Sequence, residues 1–136
     1  MAFWLFKQEP SCYSFADLLK DGTTTWDGVA NPVAQKHLRS VKKGDRVFFY
    51  HSGDDRAVIG EMQVTADPKP DPSDEAGKRV VVKVKAVRKL KYSVPLVAIK
   101  GDKAFANWEL VRISRLSVMP VPEELWKKIE AMSEVA

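Results

Sequence analysis

Arg46-Val47-Phe48-Phe49-Tyr50-His51, then Ser52-Gly53-Asp54-Asp55, then Ala57-Val58-Ile59-Gly60-Glu61-Met62-Gln63-Val64 is the stretch that decides the fold. The first six residues have the β-branched and aromatic density of a strand. Ser, Gly and Asp supply a turn. The second run continues to Ala66 and sets Val58, Gly60, Met62 and Val64 on one face and Ile59 on the other. Two strands joined by so short a turn read as a hairpin. Neighbouring strands without a helix between them argue against a doubly wound sheet.

Working outward, Ala2 to Lys7 is apolar and aromatic and predicts a first strand that Glu9-Pro10-Ser11 ends. Ser14 can cap a short helix, with Asp17 completing a capping box and Phe15, Leu18 and Leu19 forming its apolar stripe. Asn31-Pro32 is the clearest helix start in the chain, since Asn is a preferred N-cap and Pro a preferred first residue. Val33, Ala34, His37, Leu38 and Val41 follow at helical spacing, and Lys42-Lys43-Gly44-Asp45 closes the element. The Pro- and Asp-rich segment from Asp67 to Gly77 predicts a surface loop. Arg79 to Leu90 alternates as a long strand, and Val94 to Asn107 predicts one or two short helical turns. Leu110 to Val118 reads as a strand, and Pro122 opens a last helix with Leu125, Trp126, Ile129 and Met132 inward. The sum is an α+β chain: a small, mostly antiparallel β-barrel with peripheral helices.

With 136 residues, 45% hydrophobic and 29% charged, the chain fits one domain over residues 1–136. No apolar run approaches a membrane span, and the start lacks a signal-peptide pattern. The single Cys12 excludes an internal disulfide, is too little for a structural zinc site and fits a reducing, cytoplasmic setting. Beside Tyr13 it reads as a small core hydrophobe. The formal charge of +4 is mildly basic. Clusters at Lys36, His37, Arg39, Lys42, Lys43 and at Lys83, Lys85, Arg88, Lys89, Lys91 are solvated faces or phosphate contacts.

Nucleotide-cofactor motifs are missing, and His37, His51 and Cys12 lack metal-ligand spacing, so no metal, cofactor or catalytic residue is assigned. Glu9 and Asp27 could share acid–base work, or Glu9 could cap strand-end amides and Asp27 turn toward Gly28. Thr24-Thr25-Trp26-Asp27-Gly28-Val29-Ala30-Asn31-Pro32 reads as a loop feeding a helix. Within it Trp26 either plugs one end of the core or offers a flat face to a planar ligand such as a nucleobase. Trp4, Tyr50 and Trp108 also lie near polar residues that could read base edges, although core packing competes for each of them.

The order of segments then becomes informative. Trp4-Leu5-Phe6-Lys7-Gln8-Glu9-Pro10, Tyr13-Ser14, Trp26-Asp27-Gly28-Val29-Ala30-Asn31, Gly44-Asp45, Phe49-Tyr50-His51-Ser52, Val58-Ile59-Gly60, Asp67-Pro68, Asp71-Pro72, Leu110-Val111-Arg112 and Arg115-Leu116-Ser117-Val118 with Pro120 closely resemble the EVE domain family. The resemblance runs from Trp4 to about Met132. It implies a PUA-like barrel and kinship with domains that read modified bases, among them the YTH domains with their aromatic cage for methylated adenine. It further implies a non-catalytic module for modified cytosine in DNA or a modified base in RNA.

By this resemblance Lys7, Gln8, Glu9, Trp26, Asn31, Tyr50, His51, Ser52 and Arg115 belong to a ligand pocket. Trp26 would stack on or wall the base. Asn31, Ser52 and Glu9 or Gln8 would bond its polar edge. Lys7 and the basic residues Lys36, Arg39, Lys42 and Lys43 would meet phosphates. The sequence departs from the family where Ser, Arg and Tyr-Gln-Ala-Arg are usual and Gln8, Ala30 and Pro32-Val33-Ala34-Gln35 stand instead. The expected partner is nucleic acid carrying a modified base, with no membrane and with an effector protein encoded separately. Two further readings are an enzyme using Glu9 or Asp27 on a nucleobase or small metabolite, and a small-molecule or protein-binding module.

Overall fold

The computed structural model describes residues 1–135 and builds them into one curled sheet with five short helices around it. Strands β1 (Phe3–Gln8) and β3 (Arg46–His51) are neighbours in its interior. Strands β4 (Ala57–Val64), β6 (Val80–Pro95) and β2 (Thr23–Trp26) extend it beyond β3, and β7 (Val118–Pro120) lies on the far side of β1. A two-residue strand, β5 (Lys69–Pro70), adds to β6 inside the expected surface loop. Every pairing is antiparallel except that of β1 with β3. The mostly antiparallel barrel with peripheral helices is therefore present, as a mixed sheet that curls into a half-barrel. The one parallel pair aligns Phe3 with Arg46 through to Gln8 with His51, so both strands end at the same rim.

The local signals act as read. Ser14 and Asp17 form a reciprocal capping box on α1 (Phe15–Asp21). Asn31 Oδ1 accepts from the amides of Val33 and Ala34 at the start of α2 (Pro32–Ser40). The hairpin of β3 and β4 carries a bulge at Phe49/Tyr50. Gly60 on β4 is required by packing: a Cβ there would collide with the ring of Phe15, which seats α1 on the sheet. The last helix, α5 (Glu123–Met132), buries Trp126, whose ring stacks on Phe48 at 3.6 Å.

Several sequence expectations are corrected. Trp26 closes strand β2, because the Thr run pairs with Lys83 and Lys85 of β6. Leu110 to Val118 is not a strand. Trp108 caps the one-turn helix α4 (Glu109–Arg112), Leu110 is buried, and only Val118–Pro120 pairs with β1. Burial of Trp108 and Leu110 overrides the β-propensity of that run. Strand β6 reaches Pro95, with α3 (Leu96–Lys100) and a 3-10 turn at Lys103–Phe105 following. Helix α2 ends at Ser40, before the lysine pair, and Val33 and Leu19 face solvent. Cys12 is exposed in the turn after β1, where its amide donates to the Glu9 carbonyl at 2.9 Å.

Two carboxylates invisible to the hydrophobic pattern tie the fold together. Glu61, only 1% exposed, accepts from Arg46 and Arg88, and Arg88 also reaches Glu130 at 3.1 Å. A buried charge requires such partners. Asp45 accepts from the Ala2 amide, the Trp4 indole and the Lys42 amide, pinning the start of β1 beside β3.

Candidate functional site

Because β1 and β3 run parallel, Lys7-Gln8-Glu9 and Tyr50-His51-Ser52 reach the same rim of the sheet. The Ser52 amide donates to the Gln8 carbonyl at 3.0 Å and holds the two strand ends together. Two more segments arrive there: Trp26 to Ala30, which runs on from the last residue of β2, and Ser114 to Ser117, which precedes β7. Between them lies a cavity of about 500 Å³. A wider groove of about 580 Å³ runs between α4 and α5, walled by Trp108 and Leu125, but no converging strand ends build it.

Lys7 is half-buried in the cavity wall. Its ammonium donates to the Ser114 carbonyl at 2.9 Å and stands 5.5 Å from the centre of the Tyr50 ring. Burial pushes its pKa below the ordinary lysine value, since desolvation penalises the charged form. Gln8 Oε1 accepts from the Glu9 amide at 3.1 Å, which turns its side-chain NH₂ into the available donor. Glu9 is exposed, with Ser52 Oγ at 3.5 Å and Gly53 beneath its carboxylate. Gly53 adopts φ +74° there, and any Cβ would meet that carboxylate. Arg115 is exposed at the mouth.

Trp26 is a core residue that reaches the cavity only by its margin. It is 3% exposed, with its ring 5.3 Å from Phe6 and 5.3 Å from Phe49, the latter nearly perpendicular. The loop after it is clamped by Gln35, which is buried. Gln35 Nε2 donates to the Val29 carbonyl at 2.7 Å and toward the Val80 carbonyl at 3.3 Å, while its Oε1 accepts from the Val80 amide at 3.0 Å. Position 35, one of those that departs from the family pattern, thus faces inward and holds the cavity wall.

The structure brings Lys7, Gln8, Glu9, Trp26, Ser52 and Arg115 into one wall and adds Ser114, Ser117, Val29 and Ala30. Ser114 and Ser117 reach the wall because the run between α4 and β7 is not a strand. Asn31 lies outside the wall, its Oδ1 occupied by helix capping. Tyr50 is buried and faces an adjoining recess. His51 is a tie within the fold. Its Nε2 accepts from the Phe15 amide at 3.0 Å, so Nδ1 carries the proton toward Asp55.

Lys36, Arg39, Lys42 and Lys43 are exposed, but none lines the cavity. Arg39 donates to the Lys78 carbonyl at 2.9 Å. Lys42 and Lys43 precede β3, so they sit at the opposite end of the sheet from the rim where β3 finishes. Lys83, Lys85, Lys89 and Lys91 are exposed along β6, while Arg88 is committed to Glu61. Glu9 and Asp27 both face solvent, so neither occupies the dry pocket that the acid–base reading needs. Among the described residues no three His, Cys, Asp or Glu side chains gather as a metal site. Nor is any helix there long and apolar enough to cross a membrane.

A family model described as EVE domain matches residues 2–132. Human thymocyte nuclear protein 1 is 30% identical over 96% of this chain and 73% of its own length. An NMR structure of a Rhodopseudomonas palustris protein superposes with TM-score 0.93 at 38% identity, covering 98% of this chain and 94% of that one. The crystal structure of human THYN1 protein in complex with 5-methylcytosine containing DNA superposes with TM-score 0.91 at 29% identity, covering 100% and 99%.

Proposed function

The chain belongs to the EVE domain family, and on that premise we propose that it is a non-catalytic module that binds nucleic acid by taking a modified cytosine of DNA into the cavity at the β1–β3 rim. The observation that carries this reading is the convergence of four segment ends on one cavity of about 500 Å³, in a family with a relative solved on 5-methylcytosine DNA. Its polar groups are of both kinds: Lys7, Arg115 and the Gln8 amide donate, the Glu9 and Asp27 carboxylates accept, and the Ser52, Ser114 and Ser117 hydroxyls can do either. Donors suit the N3 and O2 acceptors of cytosine, a carboxylate suits its N4 amino group, and Val29 and Ala30 offer apolar contact for a methyl group. Arg115 at the mouth is a contact for the nucleic-acid backbone, in place of the distant Lys42 and Lys43. Trp26 limits the depth of the cavity by its margin.

Extruding a base from a duplex costs a few kcal/mol, which one stacking contact and one or two hydrogen bonds roughly offset. A domain of this kind therefore prefers single-stranded or distorted targets, and we propose a separately encoded effector protein as a further partner. The exposed, unpaired Cys12 suits a reducing compartment, and we assign the cytoplasm.

The test is an anisotropy titration of single-stranded oligonucleotides. Each carries one cytosine, 5-methylcytosine, 5-hydroxymethylcytosine or N6-methyladenine, and each is measured at two salt concentrations. A modified cytosine binds tighter than cytosine by about tenfold, the worth of ~1.4 kcal/mol. Arg115→Gln weakens every oligonucleotide alike and flattens the salt slope by about one. Equal affinity for all four bases overturns the reading. Binding indifferent to salt would favour a small-molecule ligand instead. Trp26→Ala is a poor probe because it opens the core.

A further inference from the structure

Beside the rim cavity lies a second recess of about 360 Å³, and Lys7, Ser52 and Ser114 stand in the walls of both. Three cations border it: Lys7 from β1, Arg56 from the β3–β4 turn and Lys100 from the end of α3. No acidic side chain is among the described residues of its wall, and the Glu9 carboxylate lies over Gly53 on the shared rim. Its floor is apolar, from Tyr50, Leu96 and Leu110. Such a floor lowers the local dielectric and strengthens attraction between the cations and an anion.

Arg56 is held there at a conformational cost. It is the one non-glycine residue with positive φ among those described, at +42°. The Leu96 amide donates to its carbonyl at 2.7 Å, and its own Nε donates to the Gly53 carbonyl at 3.2 Å. These bonds leave the terminal guanidinium nitrogens available. Non-glycine residues persist in this region only where the surroundings over-determine them, and such residues concentrate at ligand clamps. Arg56 is also close enough to Tyr50 to oppose the upward push of burial on the phenol. No ion pair is formed by Arg56 or Lys100 among the described residues. Three cations beside an apolar floor, with no ion pair to Arg56 or Lys100 among the described residues, set up a positive potential that favours an anion.

We propose that this recess binds the phosphate attached to the nucleotide whose base enters the adjoining cavity, with Arg56 and Lys100 as its dedicated contacts and Lys7 shared between the two. The proposal rests on the base-binding reading for its ligand, and on the recess alone for its chemistry. Free phosphate carries the same chemistry, so the experiment separates the two sources.

Calorimetry compares 5-methyl-2′-deoxycytidine with its 3′- and 5′-monophosphates on the native chain and on an Arg56→Gln/Lys100→Gln double variant. One of the two monophosphates binds the native chain at least about tenfold tighter than the nucleoside. In the double variant that gain disappears while nucleoside affinity is unchanged. Equal affinity of nucleoside and both monophosphates on the native chain overturns the proposal, as does a gain that survives in the double variant. In parallel, inorganic phosphate is titrated while the amide shifts of Gly53, Arg56 and Lys100 are followed. If no nucleoside binds but phosphate still moves those amides in the native chain alone, the base reading falls and the recess stands as a site for free phosphate, which overturns the nucleotide proposal. If neither binds, both fall.

Discussion

Truncating Gln35 tests whether the cavity wall is held from behind. Gln35→Ala removes the donor to the Val29 carbonyl at 2.7 Å and the acceptor for the Val80 amide at 3.0 Å. Val29 is itself 7% exposed, so water replaces its lost partner poorly. A buried polar group left unpaired costs ~1–3 kcal/mol, and the half-exposed Val80 amide adds about 1, giving about 2–4 kcal/mol in all. Unfolding entropy of roughly 2.1 cal/mol/K per residue over this chain converts that range into a drop in Tm of about 7–14 °C. Gln35→Glu nearly preserves the shape but points a carboxylate oxygen at the Val29 and Val80 carbonyls. It should therefore destabilise at least as much as alanine. Calorimetric melts of the three proteins at neutral pH decide the matter. A Tm loss under about 3 °C for Gln35→Ala, or a Glu variant more stable than the Ala variant, would refute the clamp. The same loosening of residues 27–30 should raise the rate of ligand release, read by stopped-flow on the tightest oligonucleotide.

Burial lowers the Lys7 pKa, so the charged ammonium costs the folded state stability below that folded pKa, and the cost fades as pH rises through it toward the unfolded value. Lys7→Met should match or exceed the parent in Tm at pH 7, the gap closing at alkaline pH, while oligonucleotide affinity falls; a clear loss of Tm at pH 7 would contradict this. Asp74 accepts from the amides of Arg79, Lys78 and Ala76, which hold its pKa below the ordinary carboxylate range. Its contribution is complete above the unfolded pKa and lost as pH falls through the folded one, so Asp74→Asn should melt earlier than the parent at pH 7 and together with it in strong acid. A gap that persists unchanged to low pH counts against that linkage.

The gathering of residues at the β1–β3 rim was partly legible in the sequence. Lys7, Gln8, Glu9, Ser52 and Arg115 do converge, and the order of family segments pointed to them. His51 and Asn31 are polar residues at the right sequence positions, yet their hydrogen bonds are consumed within the fold by Phe15, Val33 and Ala34. Arg56, Lys100 and Ser114 carried no sequence signal, because each is an ordinary polar residue whose neighbours in space are remote in the chain.

By itself the sequence determined what short-range physics controls. The Ser14 capping box, the Asn31-Pro32 helix start, the β3–β4 hairpin and the inward stripe of α5 all rest on residues a few positions apart. Those interactions form in nearly any context that allows the element to exist. Tertiary structure decided whether Trp26 would face water or pack between Phe6 and Phe49, and that Leu110 would turn inward on a helix. It also set the parallel pairing of β1 with β3, and the antiparallel pairing of β1 with β7 that brings the Lys7 ammonium to 2.9 Å from a carbonyl 107 residues away. Such contacts depend on the order of strands in the sheet, and that order is fixed by burying both faces of many segments at once, a condition no local window contains.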